Sequence, residues 1–392
     1  MAKSVAIIGG GAAGFFLAIN LKELCPGLRV VIMEQGRRVL RKVKVSGGGR
    51  CNCTNTFRGA GDLSHVYPRG HRLMRRLFRE FGPESAFTWF ERHGVALTVQ
   101  DDQCVFPSSQ DSQTIIDCFL SFAHRYGVEV LTGTKVESID QLSGYDCVCV
   151  TTGGYSQGSG VAWLADCGHD IVQPVPSLFS LAVDDAALHD LTGTVVNATA
   201  AITGTKFRTS GPLLITHWGI SGPCILLLSS HAARHLADSE YKVEVRVNWC
   251  SCSEDEARAE LSRLAAGHPA KMLGNASPFG LQQRLWDYLS QKVAGQKRWG
   301  ELSRKDMNRL VNVITNDAYV TSGRAPFRDE FVTCGGVALS SVVAQTMESR
   351  HRPGVYFAGE VLDIDGVTGG FNFQAAWTTA YVVAKSIALT ST

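Results

Sequence analysis

Val5-Ala6-Ile7-Ile8-Gly9-Gly10-Gly11-Ala12-Ala13-Gly14 decides how the rest of the chain is read. Four apolar residues run into a Gly-x-Gly-x-x-Gly turn at Gly9, Gly11 and Gly14. Phe15-Phe16-Leu17-Ala18-Ile19-Asn20-Leu21 then reads as a buried helix. Strand, glycine turn and helix in that order are the context a dinucleotide fingerprint needs. Gly9 permits the tight turn, Gly11 lets a pyrophosphate approach the backbone, and Gly14 lets helix and strand touch. Ala12 and Ala13 lie at the helix start, whose unpaired N–H groups and positive dipole end suit phosphates. The next strand, Leu28-Arg29-Val30-Val31-Ile32-Met33, ends at Glu34, 20 residues beyond Gly14 (34 − 14). There an acid grips the ribose hydroxyls of an adenosine, with Gln35 beside it. A lone GxGxxG also occurs as a chance glycine turn; strand, helix and acid together argue against that.

The chain has 392 residues, which predicts two or three domains. Its 45% hydrophobic and 19% charged residues exclude a disordered chain and allow a sizeable core. A net charge of +2 without a long basic run disfavours nucleic acid as the main partner and leaves a small-molecule substrate. The apolar start is a sheet strand, not a leader, and no run is long enough to span a bilayer, so a cytoplasmic protein is expected. The twelve cysteines are expected as thiols, not a disulfide framework. Three C-x-C pairs occur, Cys51/Cys53, Cys147/Cys149 and Cys250/Cys252, but zinc usually wants C-x-x-C with further ligands, and no metal site is expected. Cys147 and Cys149 read as small core residues of a strand.

Past Glu34, the basic segment Arg37–Lys44, which contains Lys42, leads into Val45-Ser46-Gly47-Gly48-Gly49-Arg50-Cys51-Asn52-Cys53-Thr54-Asn55. This stretch reads equally as a turn that a flat or anionic ligand can approach and as a flexible basic surface loop. Leu73, Leu77 and Phe81, with Phe87 and Phe90 beyond, predict a helix over 71–93. Its Arg72, Arg75, Arg76 and Arg79 read as a solvated face. A helix over Asp111–Tyr126 and a strand over Val128–Leu131 follow. Cys147 to Val150 is a strand that ends in a second close-approach turn at Thr152-Gly153-Gly154. Pro174-Val175-Pro176 reads as a domain exit.

From Leu178 the pattern changes. Phe179, Leu181 and Val183 alternate, as do Val243, Val245 and Val247, which predicts an antiparallel sheet or small barrel. Ser221 and Pro223 are placed to cap and open a helix through residue 235. His217 reads either as an acid, base or cofactor contact or as a hydrogen-bonded turn histidine. Residues 253–317 carry helical stripes at Ala257/Leu261/Leu264, Leu281/Leu285/Leu289 and Met307/Leu310/Val311/Ile314. Ser303 and Asp306 resemble a capping box with Asp in place of the usual Glu or Gln. Near the C-terminus, a strand ending at Gly359-Glu360 is followed by Gly369-Gly370-Phe371-Asn372 and a helix from Phe373 to about Leu389. The start of that helix could face an anionic or electron-rich ring edge. No second GxGxxG is present for a nicotinamide cofactor.

With these residues assembled, the chain resembles a bacterial FAD flavoprotein family that includes aminoacetone oxidase-like and BaiN-type proteins. The matching blocks are GGGAAG at 9–14, SGGGRCNCTN at 46–55, VFPSS at 105–109 and TTGG at 151–154. THWGISGP at 216–223, VTCGGV at 332–337, TMES at 346–349 and GEVLDIDGVTGGFNFQAAW at 359–377 complete the set. The resemblance covers nearly the whole chain. It implies an α/β fold: a Rossmann-like FAD/NAD(P)-binding domain, residues 1–173 and 334–392, interrupted by a β-barrel-like insert at 174–250 plus 318–333 and a small helical insert at 251–317. It places Glu34 at the adenosine ribose, Glu360 and Asp363 near the ribityl and phosphate groups, and Gly369, Gly370, Phe371 and Asn372 by the isoalloxazine. The family's longer Ser-Tyr-Pro…Gly-Ser-Thr-Gly-Asp-Gly stretch is shortened here to Tyr155–Val161 and lacks its Asp.

The expected cofactor-binding set is therefore Gly9, Gly11, Ala12, Ala13, Gly14, Glu34, Gln35, Lys42, Ser46, Gly47, Gly48, Gly49, Arg50, Cys51, Asn52, Thr152, Gly153, Gly154, Gly359, Glu360, Asp363, Gly369, Gly370, Phe371 and Asn372. The expected activity is that of an FAD-dependent oxidoreductase acting on a small molecule, with NAD(P)H as a candidate donor. One rival is an amine oxidase using oxygen. A rival of another class is a flavin-holding protein that binds RNA or another partner. Two residues are candidates for chemistry. Cys51 would be a redox thiol if Arg50 lowers its pKa, and otherwise a buried inert one. His217 could move the proton that accompanies hydride transfer.

Overall fold

The computed structural model describes residues 3–155, 160–325 and 332–391. The chain divides into two compact units, Met1–Pro176 with Glu330–Thr392, and Ser177–Asp329.

The first unit is built on a five-stranded sheet in the order Val355–Phe357, Cys147–Val150, Ser4–Ile8, Arg29–Glu34, Glu129–Thr132. All neighbours run parallel. Val5, Ala6, Ile7 and Ile8 are all buried, which is why this strand is a continuous apolar run and not an alternating one. Helices Ala12–Leu24 and Phe371–Ser391 lie against each other, so the two ends of the chain share one core. Phe16 packs on Trp89 and Trp377, with ring centroids 4.5 and 5.1 Å apart. The Trp377 indole N–H donates to the Cys53 carbonyl at 2.8 Å, so the largest side chain of the last helix is buried without an unmatched donor.

The second unit is a closed six-stranded barrel with helices. Its strands run in the order Val195–Ile202, Arg208–Thr216, Gly219–Ser221, Leu181–Val183, Asp317–Arg324, Glu244–Asn248, and the last pairs back on the first. Val245 and Val247 point inward, while Glu244, Arg246 and Asn248 are half-buried on the other face. Helices Glu254–Gly267, Gln283–Gln291 and Arg304–Asn316 extend the same core, where Trp286 and Trp299 stack. Ser303 and Asp306 form a capping box: each side chain accepts the other residue's backbone N–H, at 3.0 and 3.1 Å.

Two local expectations are corrected. The helix expected over 71–93 is two, His71–Leu77 and Pro83–Arg92. Gly82 is extended at the break and Pro83, with no N–H to give, begins the second helix. Ser221 stands at the start of helix Gly222–His231, but its hydroxyl pairs with that of Ser180 at 2.6 Å and does not cap. Ser156-Gln157-Gly158-Ser159, in the shortened stretch after the Thr-Gly-Gly turn, lies outside the described residues. Among the described residues no helix is long and apolar enough to cross a membrane.

Candidate dinucleotide site

The glycine turn is shaped by what its side chains would strike. Gly9 has φ +111°, and a Cβ there would lie 2.5 Å from the Thr151 carbonyl oxygen. A Cβ on Gly14 would lie 2.1 Å from the Gly9 carbonyl oxygen. A Cβ on Gly11 would meet nothing within 4 Å. Gly9 and Gly14 are therefore required by the protein's own backbone, while Gly11 is required by nothing within the chain. Its lack of a side chain matters to whatever approaches from outside. The turn is held from both flanks: Gly9 N–H donates to the Met33 carbonyl at 2.8 Å, and the Thr151 hydroxyl lies 3.0 Å from the carbonyls of Ile8 and Gly9.

Glu34 is half-buried at the end of its strand. One carboxylate oxygen accepts the Gly10 N–H at 2.9 Å and the other the Gly36 N–H at 2.7 Å. Each oxygen keeps a further lone pair, so the carboxylate is held in place and can still accept a hydroxyl. The Gln35 amide donates to the Tyr155 hydroxyl at 3.2 Å. Burial and the charge of Glu34 push the Tyr155 phenol upward, so it stays protonated. Tyr155 was absent from the expected set; an aromatic directly after Thr152-Gly153-Gly154 was the available signal.

A second cluster lies at the C-terminal block. Lys42 Nζ meets Glu360 Oε2 at 2.6 Å, and Glu360 Oε1 accepts the Thr333 N–H at 2.9 Å. A Cβ on Gly154 would lie 2.4 Å from the Thr333 hydroxyl and 2.9 Å from the Glu360 carboxyl carbon. A Cβ on Gly359 would come within 2.8 Å of Ala13 Cβ, so the C-terminal block touches the first helix. Asp363 is half-buried and its N–H donates to the Val337 carbonyl. The Thr152 hydroxyl is buried and has no hydrogen-bond partner among the described residues. An orphaned hydroxyl costs about 1–3 kcal/mol, and a polar ligand lying on this turn would satisfy it.

The 46–55 stretch is tied to its surroundings by several side-chain contacts. Gly47, Gly48 and Gly49 take φ of +56°, +68° and +84°, a left-handed run that glycine alone adopts without strain. The Ser46 hydroxyl donates to the Val43 carbonyl, and the Arg50 guanidinium lies 4.3 Å from the Phe106 ring centre. Asn52, with its amide oriented to match its neighbours, accepts the Gly370 N–H at 3.2 Å and donates to the Thr54 carbonyl at 2.8 Å. The Asn55 amide donates to the Gly369 carbonyl at 3.0 Å. Two segments more than 300 residues apart (369 − 55 = 314) are thus joined beside the start of the last helix.

Four expected site residues have surroundings that the sequence did not reveal. Cys51 is fully buried and burial pushes its thiol up to about 12. Arg50 turns to Phe106 and does not lower it, so Cys51 is an inert thiol here. The Asn372 side chain closes its own loop, with its amide donating to the Gly366 carbonyl and its oxygen accepting the Gly366 N–H, both at 2.8 Å. Phe371 is buried edge-on against Phe57, and its carbonyl accepts the Tyr67 hydroxyl at 2.8 Å. His217 is exposed on the Thr216–Gly219 turn of the second unit, edge-on to Trp218 at 4.2 Å. Sequence reading also missed the bidentate pair of Arg69 with the fully buried Asp365, which ties the Gly70 turn to the C-terminal block.

The family model described as "HI0933-like protein Rossmann domain" matches residues 3–386. A ribosomal RNA dihydrouridine synthase of Escherichia coli is 30% identical, with 97% of each chain covered. A 3-dehydro-bile acid delta(4,6)-reductase of Clostridium scindens is 27% identical, with 98% of each covered. Among solved structures, a 3-ketosteroid delta1-dehydrogenase of Sterolibacterium denitrificans aligns with a TM-score of 0.53 at 12% identity, covering 99% of this chain and 100% of that one. That likeness concerns the fold.

Proposed function

The chain belongs to the HI0933-like Rossmann family, and from that premise we propose that it is an FAD-dependent oxidoreductase that saturates a carbon–carbon double bond conjugated to a carbonyl. The names of the two curated relatives support this reaction class: one reduces delta(4,6) bonds of a bile acid, the other produces dihydrouridine. The observation that carries the cofactor is Gly11, where a Cβ would meet nothing within 4 Å, in a turn whose Gly10 N–H is held by the Glu34 carboxylate and whose Gly9 abuts Thr152, the residue with the orphaned hydroxyl.

The residues present fit FAD. Gly11 and the first turn of helix Ala12–Leu24 take the pyrophosphate, Glu34 the adenosine ribose, and Thr152 a neighbouring polar atom. Lys42, Glu360 and Asp363 flank the ribityl and phosphate side. The Gly369–Gly370 turn, held by Asn52 and Asn55, fixes the start of the last helix, whose unpaired N–H groups suit an electron-rich ring edge. When bound, FAD supplies the hydride. NAD(P)H is proposed as a visiting donor, because the chain has a single GxGxxG.

A small enone is the first substrate class. A uridine within RNA is the second reading, favoured by the 30% identical relative. Purified protein mixed anaerobically with NADPH tests the proposal, followed by a steroid enone, a ribosomal RNA transcript or an amine in separate shots. Flavin bleaching by NADPH and recovery on the enone or RNA is the expected result. Bleaching by an amine and recovery only in air would replace the reading with an amine oxidase.

A further inference from the structure

Of the three C-x-C pairs, one is built differently from the others. Cys51 and Cys53 are both fully buried, and the Cys53 thiol lies 3.3 Å from the Val105 carbonyl. Cys147 and Cys149 lie on an extended central strand of the sheet, with Cys149 buried. Cys250 and Cys252 lie off the end of barrel strand Glu244–Asn248, half-buried, with Sγ atoms 2.6 Å apart. At that separation the two thiols are in direct contact.

The surrounding chain holds the two thiols in this position. Ser251 between them takes φ +51°, which folds the backbone sharply. Asn248 clamps the loop from one side: its oxygen accepts the Cys250 N–H and lies 3.3 Å from Cys250 Sγ, while its amide donates to the Cys252 carbonyl at 2.7 Å. The Ser251 hydroxyl pairs with that of Thr199 on the neighbouring strand at 3.2 Å. On the far side, Ser253 and Glu256 form a capping box that fixes the start of helix Glu254–Gly267. The buried Trp249 donates its indole N–H to Asp317, pinning the near side. Both flanks are held, which keeps the two sulfurs in contact, and their half-burial leaves them open to a small reagent.

We propose that Cys250 and Cys252 form a reversible dithiol site that reacts with low-molecular-weight disulfides, independently of the flavin chemistry. The Cys250 thiolate attacks one sulfur of glutathione disulfide, the S–S bond of that reagent breaks and one glutathione leaves as a thiol. In the dithiol, burial and then the neighbouring Cys250 push the Cys252 thiol up to about 12; once Cys250 is capped by glutathione its share of that shift is gone, and Cys252 gives its proton to solvent and attacks Cys250 Sγ, releasing the second glutathione. The protein gives up two electrons and two protons, and the reagent is reduced to two thiols.

Trypsin provides a clean readout, because cleavage after Arg246 and Arg258 gives the peptide Val247–Arg258, which contains these two cysteines and no others. The folded protein is incubated with glutathione disulfide, alkylated with N-ethylmaleimide, digested and weighed. The expected peptide lacks two hydrogens and carries no alkyl group, and dithiothreitol before alkylation returns it to the doubly alkylated form. The peptide Glu23–Arg29, whose single cysteine is the half-buried Cys25, serves as the control for general oxidation. Cys252→Ser should instead retain one glutathione on Cys250. A wild-type peptide that remains doubly alkylated, or that retains glutathione, overturns the proposal whether or not the variant folds.

Discussion

Lys42 and Glu360, 318 residues apart in the chain, meet at 2.6 Å beside the Thr-Gly-Gly turn. Glu360 also receives the Thr333 N–H, so one carboxylate joins the basic segment after the second strand, the strand before the C-terminal block and the block itself. Lys42 is half-exposed, and such a pair contributes about 1 kcal/mol or less. Glu360→Gln should leave the melting temperature of the apoprotein nearly unchanged. Glu360→Ala also deprives Thr333 of its acceptor and should cost about 1–3 kcal/mol. Equal melts for the two variants would remove the Thr333 bond from this account.

Gly11 and Gly14 should separate folding from cofactor binding. Gly14→Ala forces a methyl into the Gly9 carbonyl and should destabilise the apoprotein by about 1–3 kcal/mol. Gly11→Ala meets nothing in the protein, so its apoprotein should unfold at the wild-type urea concentration while its flavin content falls. Full flavin occupancy in Gly11→Ala would show that the pyrophosphate lies elsewhere.

Glu34→Ala should weaken FAD. A hydrogen bond to a charged group contributes about 1.5–3 kcal/mol, roughly one to two decades in the dissociation constant. Fluorescence titration of the apoprotein measures it. Glu34→Gln keeps one acceptor oxygen and should fall between wild type and Ala; an unchanged constant in Glu34→Ala rejects the ribose assignment.

Asp365 is fully buried and holds Arg69 in a bidentate pair. Removing one partner of such a pair costs about 3–5 kcal/mol. Asp365→Ala should lower the urea midpoint far more than Asp62→Ala, whose pair with Arg75 is exposed. Similar midpoints for the two would mean that Asp365 contributes little.

Acid stability should carry the mark of Glu23. Burial acts to raise its carboxyl, but hydrogen bonding and charge from His93, together with the Tyr126 hydroxyl, outweigh burial and hold it below the ordinary value. A depressed folded pKa gives stability that is complete above the unfolded carboxyl value of about 4.3 and is lost as pH falls through the folded one. Glu23→Gln should therefore lose stability at neutral pH and show a shallower acid limb in urea titrations. Parallel curves for variant and wild type down to pH 3 would contradict it.

The first strand, the glycine turn, the first helix and Glu34 were legible because their constraints are local. Four apolar residues in a row require a strand buried on both faces, and of the three glycines Gly9 and Gly14 answer to the chain's own backbone while Gly11 answers to a ligand. The antiparallel strands of the second unit were legible from alternation, since period two is a property of consecutive residues; that they close into a barrel was decided by the pairing of the last strand on the first. Gly82-Pro83 was equally local, yet a strong apolar period ran through it and masked the break. Proximity across the chain could not be read in this way. That Lys42 reaches Glu360, that Asn52 receives Gly370, and that Arg50 turns to Phe106 and leaves Cys51 in an apolar interior depend on which segments the parallel sheet brings together. A residue's chemistry is fixed by its neighbours in space: Cys51 and Cys250 both stand in C-x-C pairs, and burial makes one inert while a clamped turn sets the other against a second thiol.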